Sequence, residues 1–182
     1  FTATDICGNE SVASQAITIV DTTPPELTIP NDYTIECPGE IILADAFAVD
    51  NCGPVTISVL EKIIPGLCEG SYSISRTFTA ADDFGNTTSD TQVITVIDTT
   101  APEITYMPED YTAECSDSHP MEDATGLDDC GEASVSVLEK MYSGACSGDY
   151  TISRTFTVSD DCGNAVVETQ TITIVDTTSP VY

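Results

Sequence analysis

Residues 156–178 read FTVSDDCGNAVVETQTITIVDTT, and the pattern stands twice more, as FTATDICGNESVASQAITIVDTT at 1–23 and FTAADDFGNTTSDTQVITVIDTT at 78–100. Each copy is a strand, an acidic turn closed by Gly-Asn, a second strand and an Asp-Thr-Thr junction. The copies start at Phe1, Phe78 and Phe156, a period of about 78 residues that marks a tandem array. The expected division is 1–20 as the last strands of a preceding repeat, 21–97 and 98–175 as full repeats, and 176–182 as the start of another. The chain reads as a stretch of a longer polymer of modules.

Between these stretches the apolar residues alternate with period two. Val55, Ile57, Val59 and Ile63 share one parity, with Thr56, Ser58 and Lys62 on the other; Tyr72, Ile74, Phe78 and Ala80 share a parity in the next segment. Short strands are expected at Leu27–Ile29, Tyr33–Cys37 and near Ala46–Val49. Such alternation, broken by turns every 8–12 residues or so, predicts half-buried strands of an antiparallel β-sandwich. No window has the helical period. The expected fold is all-β, a series of immunoglobulin-like antiparallel sandwiches arranged as beads on a stiff rod. The prolines after each Asp-Thr-Thr stiffen the junctions.

The register has an internal check. Glu61 and Arg76 both fall on the apolar parity of their strands, and a hairpin that sets Val59 opposite Phe78 sets Glu61 opposite Arg76. Glu139 and Arg154 repeat the arrangement. Both are expected as cross-strand ion pairs that fix register.

The charge is lopsided: 31 acids against 4 bases, a formal net charge of −27. Nucleic-acid binding needs clustered Lys and Arg, and docking on anionic membranes needs basic segments, so both are excluded as partners. No apolar run approaches the ~20 residues of a membrane span. The chain has no Gly-x-Ser-x-Gly elbow, no phosphate-binding Gly loop and no His-Glu-x-x-His, motifs that would point to catalysis. Carboxylates copied in every repeat are not what an enzyme needs, and a non-enzymatic protein is expected.

Asp21-Thr22-Thr23-Pro24-Pro25, Asp50-Asn51-Cys52-Gly53, Gly70-Ser71-Tyr72 and Thr79 through Asn86 together resemble the hyalin repeat, an immunoglobulin-like sandwich of extracellular proteins. The version with Glu-Cys, Asn-Cys and Asp-x-Cys-Gly-Asn cysteines resembles long tandem arrays in surface and gliding adhesins of Bacteroidetes bacteria. The resemblance covers the whole chain and implies an extracellular or cell-surface structural or adhesive role. Its implied partners are other repeats of the same polymer, neighbouring fibre subunits, and surface glycans or proteins. Phe84 departs from the pattern, since Cys7 and Cys162 hold that position in the other copies.

The cysteine positions are 37, 52 and 68, with Phe84 at the fourth, then 115, 130, 146 and 162. Four cysteines allow three connectivities. Zinc is a poor fit, with no Cys-x-x-Cys and a single His119. In an immunoglobulin-like sandwich, Cys130 and Cys162 fall at the proximal end, where the chain arrives, and Cys115 and Cys146 at the distal end. This predicts Cys115–Cys146, Cys130–Cys162 and Cys37–Cys68, with Cys52 and Cys7 unpaired. Disulfides imply an oxidising, extracellular setting.

The same topology brings Asp21, Asp50, Asp82, Asp83 and Asn86 to one corner of the first full repeat. It brings Asp98, Asp128, Asp160, Asp161 and Asn164 to one corner of the second. Converging carboxylates without a base repel, and Ca²⁺ with its six to eight oxygen ligands relieves this, so these ten are candidate calcium ligands. The competing reading is turn chemistry, which favours Asp and Gly-Asn on its own. Thr22, Thr99 and Thr177 fit an O-glycosylation pattern of Bacteroidetes, and Asn9 and Asn86 fit the N-glycosylation pattern. The expectation is a segment of an extracellular fibre or adhesin stalk. The alternative is a module that binds carbohydrate or protein through exposed loops.

Overall fold

A computed structural model describes residues 1–146 and 148–179; the end of the expected 176–182 segment, from 180 on, lies outside them. Two compact units are formed. One comprises Phe1–Pro30, Ala44–Leu60 and Thr77–Thr91; the other comprises Asn31–Leu43, Glu61–Arg76 and Gln92–Tyr182.

All fourteen elements among the described residues are strands, and the protein is all-β. They are β1 (Thr2–Thr4), β2 (Glu10–Val12), β3 (Glu26–Thr28), β4 (Tyr33–Glu36), β5 (Phe47–Val49), β6 (Val55–Pro65), β7 (Tyr72–Asp82) and β8 (Thr87–Ile97). The series continues with β9 (Glu103–Tyr106), β10 (Tyr111–Glu114), β11 (Thr125–Leu127), β12 (Ser134–Ser143), β13 (Tyr150–Ser159) and β14 (Ala165–Val175). Each full repeat contributes a two-stranded sheet, β3–β5 or β9–β11, and a four-stranded sheet, in the order β4-β8-β7-β6 or β10-β14-β13-β12. This is the two-layer plan of an immunoglobulin-like sandwich.

One ladder in each larger sheet runs parallel, which period-two alternation does not announce. Tyr33 pairs with Ile94 and Glu36 with Ile97; Tyr111 pairs with Ile172 and Glu114 with Val175. The cause is the proline break after the first strand: the chain crosses to the other sheet without reversing. Its second strand therefore leaves in the same direction as the last strand of the repeat.

The hairpin β12–β13 sets Val137 opposite Phe156, Glu139 opposite Arg154 and Met141 opposite Ile152, the register that parity predicts for the equivalent residues. Ile152, Phe156, Val158, Ile172 and Ile174 form the buried core of the second repeat, with Tyr111, Ala113 and Tyr150 against the isoleucines. β12 is outermost in its sheet, and the layer opposite has strands of only three or four residues. Val135, Val137 and Met141 therefore stay exposed, Met141 most of all.

Among the polar residues, Arg154 is buried. Its Nε donates to Glu139 at 2.8 Å, Nη2 to Asp123 at 2.8 Å, and Nη1 to Gln170 Oε1 at 3.2 Å. Arg76 donates to Glu61 at 2.8 Å and to Gln92 Oε1 at 3.1 Å. The buried amides of Gln92 and Gln170 pass the network on to the carbonyls of Asn31 and Glu109.

The hairpin β1–β2 pairs Thr2 with Val12 and Thr4 with Glu10. Residues 13–20 form no strand, and Ile17 and Ile19 are exposed, whereas the equivalent Ile94 and Val96 are buried. Among the described residues no strand pairs with 13–20 as β4 pairs with β8.

Candidate functional site

Each acidic corner is built by turns that use their aspartates as local acceptors. In the last hairpin turn, Asp82 Oδ1 accepts from the amides of Phe84 at 2.9 Å and Asn86 at 2.8 Å, and its Oδ2 accepts from Asn86 Nδ2 at 2.7 Å. Gly85 occupies φ +92° to close the turn, a conformation glycine adopts without strain. Asp5 and Asp160 make the same bonds with Asn9 and Asn164. Desolvation pushes the Asp82 and Asp160 carboxyls up, but the bonds from Asn86 and Asn164 outweigh it and hold both below the usual carboxylate range.

Two further aspartates complete the first corner. Asp50 Oδ1 accepts from the Cys52 amide at 2.8 Å, and Asp21 Oδ1 accepts from the Thr23 amide at 2.9 Å. Asn86 Nδ2 also donates to the Asp21 carbonyl at 3.2 Å, tying the turn to the junction. Carboxylate oxygens of Asp21, Asp50 and Asp82 lie within 4.8 Å of one another. Asp21 is only 9% exposed, and its Oδ2 is buried with no hydrogen-bond partner. Asp83 is outside this group, and Asn86 serves in it as a donor.

The second corner differs. Asp98 and Asp128 come within 4.8 Å together with Cys130, whose sulfur is spent in a disulfide. Burial pushes the Asp98 carboxyl up, and the charges of Asp128, Asp160 and Glu36 add to it. Asp161 Oδ2 turns away to accept from the Glu69 amide of the preceding repeat at 2.9 Å.

The disulfide bonds correct the sequence expectation. Cys37 is joined to Cys130 and Cys68 to Cys162, each linking one repeat to the next within the second unit. The expected Cys37–Cys68 and Cys130–Cys162 bonds are therefore not formed. The expected Cys115–Cys146 bond is absent too, and both thiols are free and exposed, as are Cys7 and Cys52. The reason is the junction geometry. Cys37 directly follows β4, with its amide on Ile97 O at 2.8 Å, where the chain leaves for the next repeat. Gly70 is so close that a Cβ there would stand 2.8 Å from Cys130 Cβ and 3.0 Å from Asp98 Cβ. The distal end of one repeat thus abuts the proximal end of its successor.

Glu36 and Glu114, which the sequence reading passed over, clasp the junctions. Glu36 accepts from the Thr99 amide at 2.5 Å and from the hydroxyls of Thr99 and Thr100, each at 3.1 Å. Glu114 does the same for Thr177 and Thr178. The signal available was their recurrence just before a cysteine in both repeats. Thr99 and Thr177 hydroxyls, candidate glycan acceptors, are occupied by these bonds.

The fold and junctions define a class: tandem all-β modules of immunoglobulin-like plan, joined by disulfides that persist only in oxidising compartments, hence extracellular or cell-surface. No protein-family model matches the chain. Hyalin of Strongylocentrotus purpuratus is 31% identical over 193 residues, covering 97% of this chain; the chain spans 16% of that protein's length. The modules are hyalin-repeat-like, as the motifs imply. Among solved structures, human mucin-like protocadherin EC1-2 gives a TM-score of 0.37 at 11% identity, covering 83% of this chain and 98% of that one. The protocadherin GammaB4 extracellular domain gives 0.35 at 14%, covering 96% and 38%. Likenesses this distant assign no function.

Proposed function

We propose that the chain is a segment of an extracellular fibre or adhesin stalk, built from modules at 21–97 and 98–175 that are braced by disulfides and stiffened by calcium at the acidic corners. The observation that carries the calcium reading is Asp21, buried beside Asp50 and Asp82 with an oxygen that no donor satisfies. A buried unsatisfied carboxylate oxygen is costly, and three carboxylates compound the cost by repulsion.

Calcium supplies charge neutralisation there, accepting mixed oxygen ligands. Asp21, Asp50 and Asp82 would hold it in the first corner, and Asp98, Asp128 and Asp160 in the second. Asn86 and Asn164 brace the loops around them, and Asp161 holds the Glu69 amide. The function needs no catalysis: the polymer's partners are its own repeats and neighbouring subunits, and its role is mechanical.

The test is a melting curve and a hydrodynamic radius of the chain in millimolar calcium and in EDTA. A rise of several degrees with calcium, with a change in radius, supports the reading. Identical curves refute the calcium role and leave the aspartates as turn formers.

A second reading has one observation in its favour. A cleft of about 580 Å³ in the second repeat is lined by Tyr106, Met107, Tyr111, Glu109, Glu122 and Gln170, a volume within the range of ligand pockets. Its tyrosines and carboxylates suit a carbohydrate. Titration with a panel of surface polysaccharides, monitored by tyrosine fluorescence, tests it, and silence across the panel removes it.

A further inference from the structure

The described residues contain one completed joint and one open copy of its distal half. In the completed joint, the distal face of the first repeat presents Glu36, Cys37, Cys68 and Gly70, with Asp98 of the junction beside Gly70. The proximal loops of the second repeat answer with Cys130 on Cys37, Cys162 on Cys68 and Asp161 on the Glu69 amide.

The distal face of the second repeat carries the same set one period later. Glu114, Cys115 and Asp176 converge within 4.8 Å, and Glu114 clasps Thr177 and Thr178 as Glu36 clasps Thr99 and Thr100. Gly148 holds the sequence position of Gly70 and, unlike Gly70, has a positive φ of +106°; its Cβ direction lies 3.7 Å from Cys115 Sγ and 3.4 Å from Asp176 Cβ. Cys115 and Cys146 are exposed and unbonded. The sequence from Asp176 to Pro180 restarts the Asp-Thr-Thr-x-Pro junction.

We propose that Cys115 and Cys146 form a two-point socket for the repeat that begins at Asp176. Cys115 bonds to that repeat's counterpart of Cys130, and Cys146 to its counterpart of Cys162. Each bond forms as two thiols lose two protons and two electrons to a small-molecule or protein disulfide, which is reduced to two thiols. The array is thereby stapled from module to module, with no disulfide inside any module. Desolvation, then the charges of Asp176 and Glu114, push the Cys115 thiol up. The inference rests on the tandem-array reading and not on calcium.

The test lengthens the full chain by joining a second copy of residues 98–179 after Val175. The lengthened protein is oxidised with glutathione disulfide in EDTA, and its disulfides are mapped by mass spectrometry without reduction. The expected result is Cys115 linked to the added copy of Cys130, and Cys146 to the added copy of Cys162, with Cys37–Cys130 and Cys68–Cys162 retained. A Cys115–Cys146 bond, or either thiol still alkylatable under native conditions, overturns the proposal. Retention of the two original bonds reports that the lengthened chain has folded. Because the mapping is done without calcium, its failure is separate from failure of the calcium response.

Discussion

Cys37 is bonded to Cys130, 93 residues further along the chain and in the following repeat. The bond crosses a junction that Glu36 clasps through Thr99 and Thr100. A covalent staple and a carboxylate clasp therefore act on the same few residues, and the second staple, Cys68–Cys162, closes the joint from the neighbouring loop.

Breaking both staples should be costly. In the chain-entropy model a loop of such length contributes roughly 4–5 kcal/mol, and the second closure adds less because the first already restricts the chain. The variant carrying Cys37→Ser, Cys68→Ser, Cys130→Ser and Cys162→Ser should melt more than 10 °C lower, by calorimetry. Wild-type protein in reductant should approach it, and an unchanged melting temperature would contradict the staples' role.

Calcium should act through Asp21. With free calcium at ten times Kd, binding stabilises by about 1.4 kcal/mol, a shift of roughly 6–11 °C for a module of this size. Asp21→Asn should remove the part of the shift that belongs to the first corner. Isothermal titration should lose one site, while the second corner keeps its own.

The pH response separates two aspartates of the second corner by sign. Asp98 has a raised pKa, chiefly through desolvation and then through Asp128, Asp160 and Glu36. Its contribution is thus favourable below the unfolded pKa and is lost as pH rises through the folded one. Asp98→Asn should therefore raise the urea midpoint at pH 7 in EDTA, with the gain shrinking toward pH 3. Asp160 is held low by Asn164 against desolvation, so its contribution is present above the unfolded pKa and lost as pH falls through the folded one. Asp160→Asn should cost stability at pH 7 and little at pH 3.

Arg154 should matter more than either of its carboxylates. It is 2% exposed and stacks 4.9 Å over Phe156, while the Glu139 and Asp123 side chains are 47% and 70% exposed. Truncating a large buried side chain typically costs about 3 kcal/mol or more, and ion pairs whose carboxylate is exposed are worth about 1 kcal/mol or less. Arg154→Ala, which also strips Gln170 Oε1 of its donor, should cost about 3 kcal/mol in urea. Glu139→Ala should cost under about 1 kcal/mol. Equal costs would place the energy in the ion pair itself.

Much of this architecture is readable from residues. The three copies beginning at Phe1, Phe78 and Phe156 dictate the array, because a fixed period means one structural unit repeated. The parity of Glu139 and Arg154 yields their register, because a strand's side chains alternate strictly. The turn residues place Asp21, Asp50 and Asp82 at one end, since each sits where a strand reverses or begins.

Two features come from tertiary structure alone. The parallel ladder of β4 on β8 depends on the chain changing sheets at a proline without changing direction, which alternation cannot encode. The disulfide partners depend on which ends touch. Sequence sorts Cys37 and Cys68 to the distal end, and Cys130 and Cys162 to the proximal end. Spacing within a repeat then suggests that cysteines at one end pair with each other. The junction instead presses distal end against proximal end, with Gly70 against Cys130, and a disulfide forms wherever two sulfurs are brought within bonding reach, however far apart they lie in the chain.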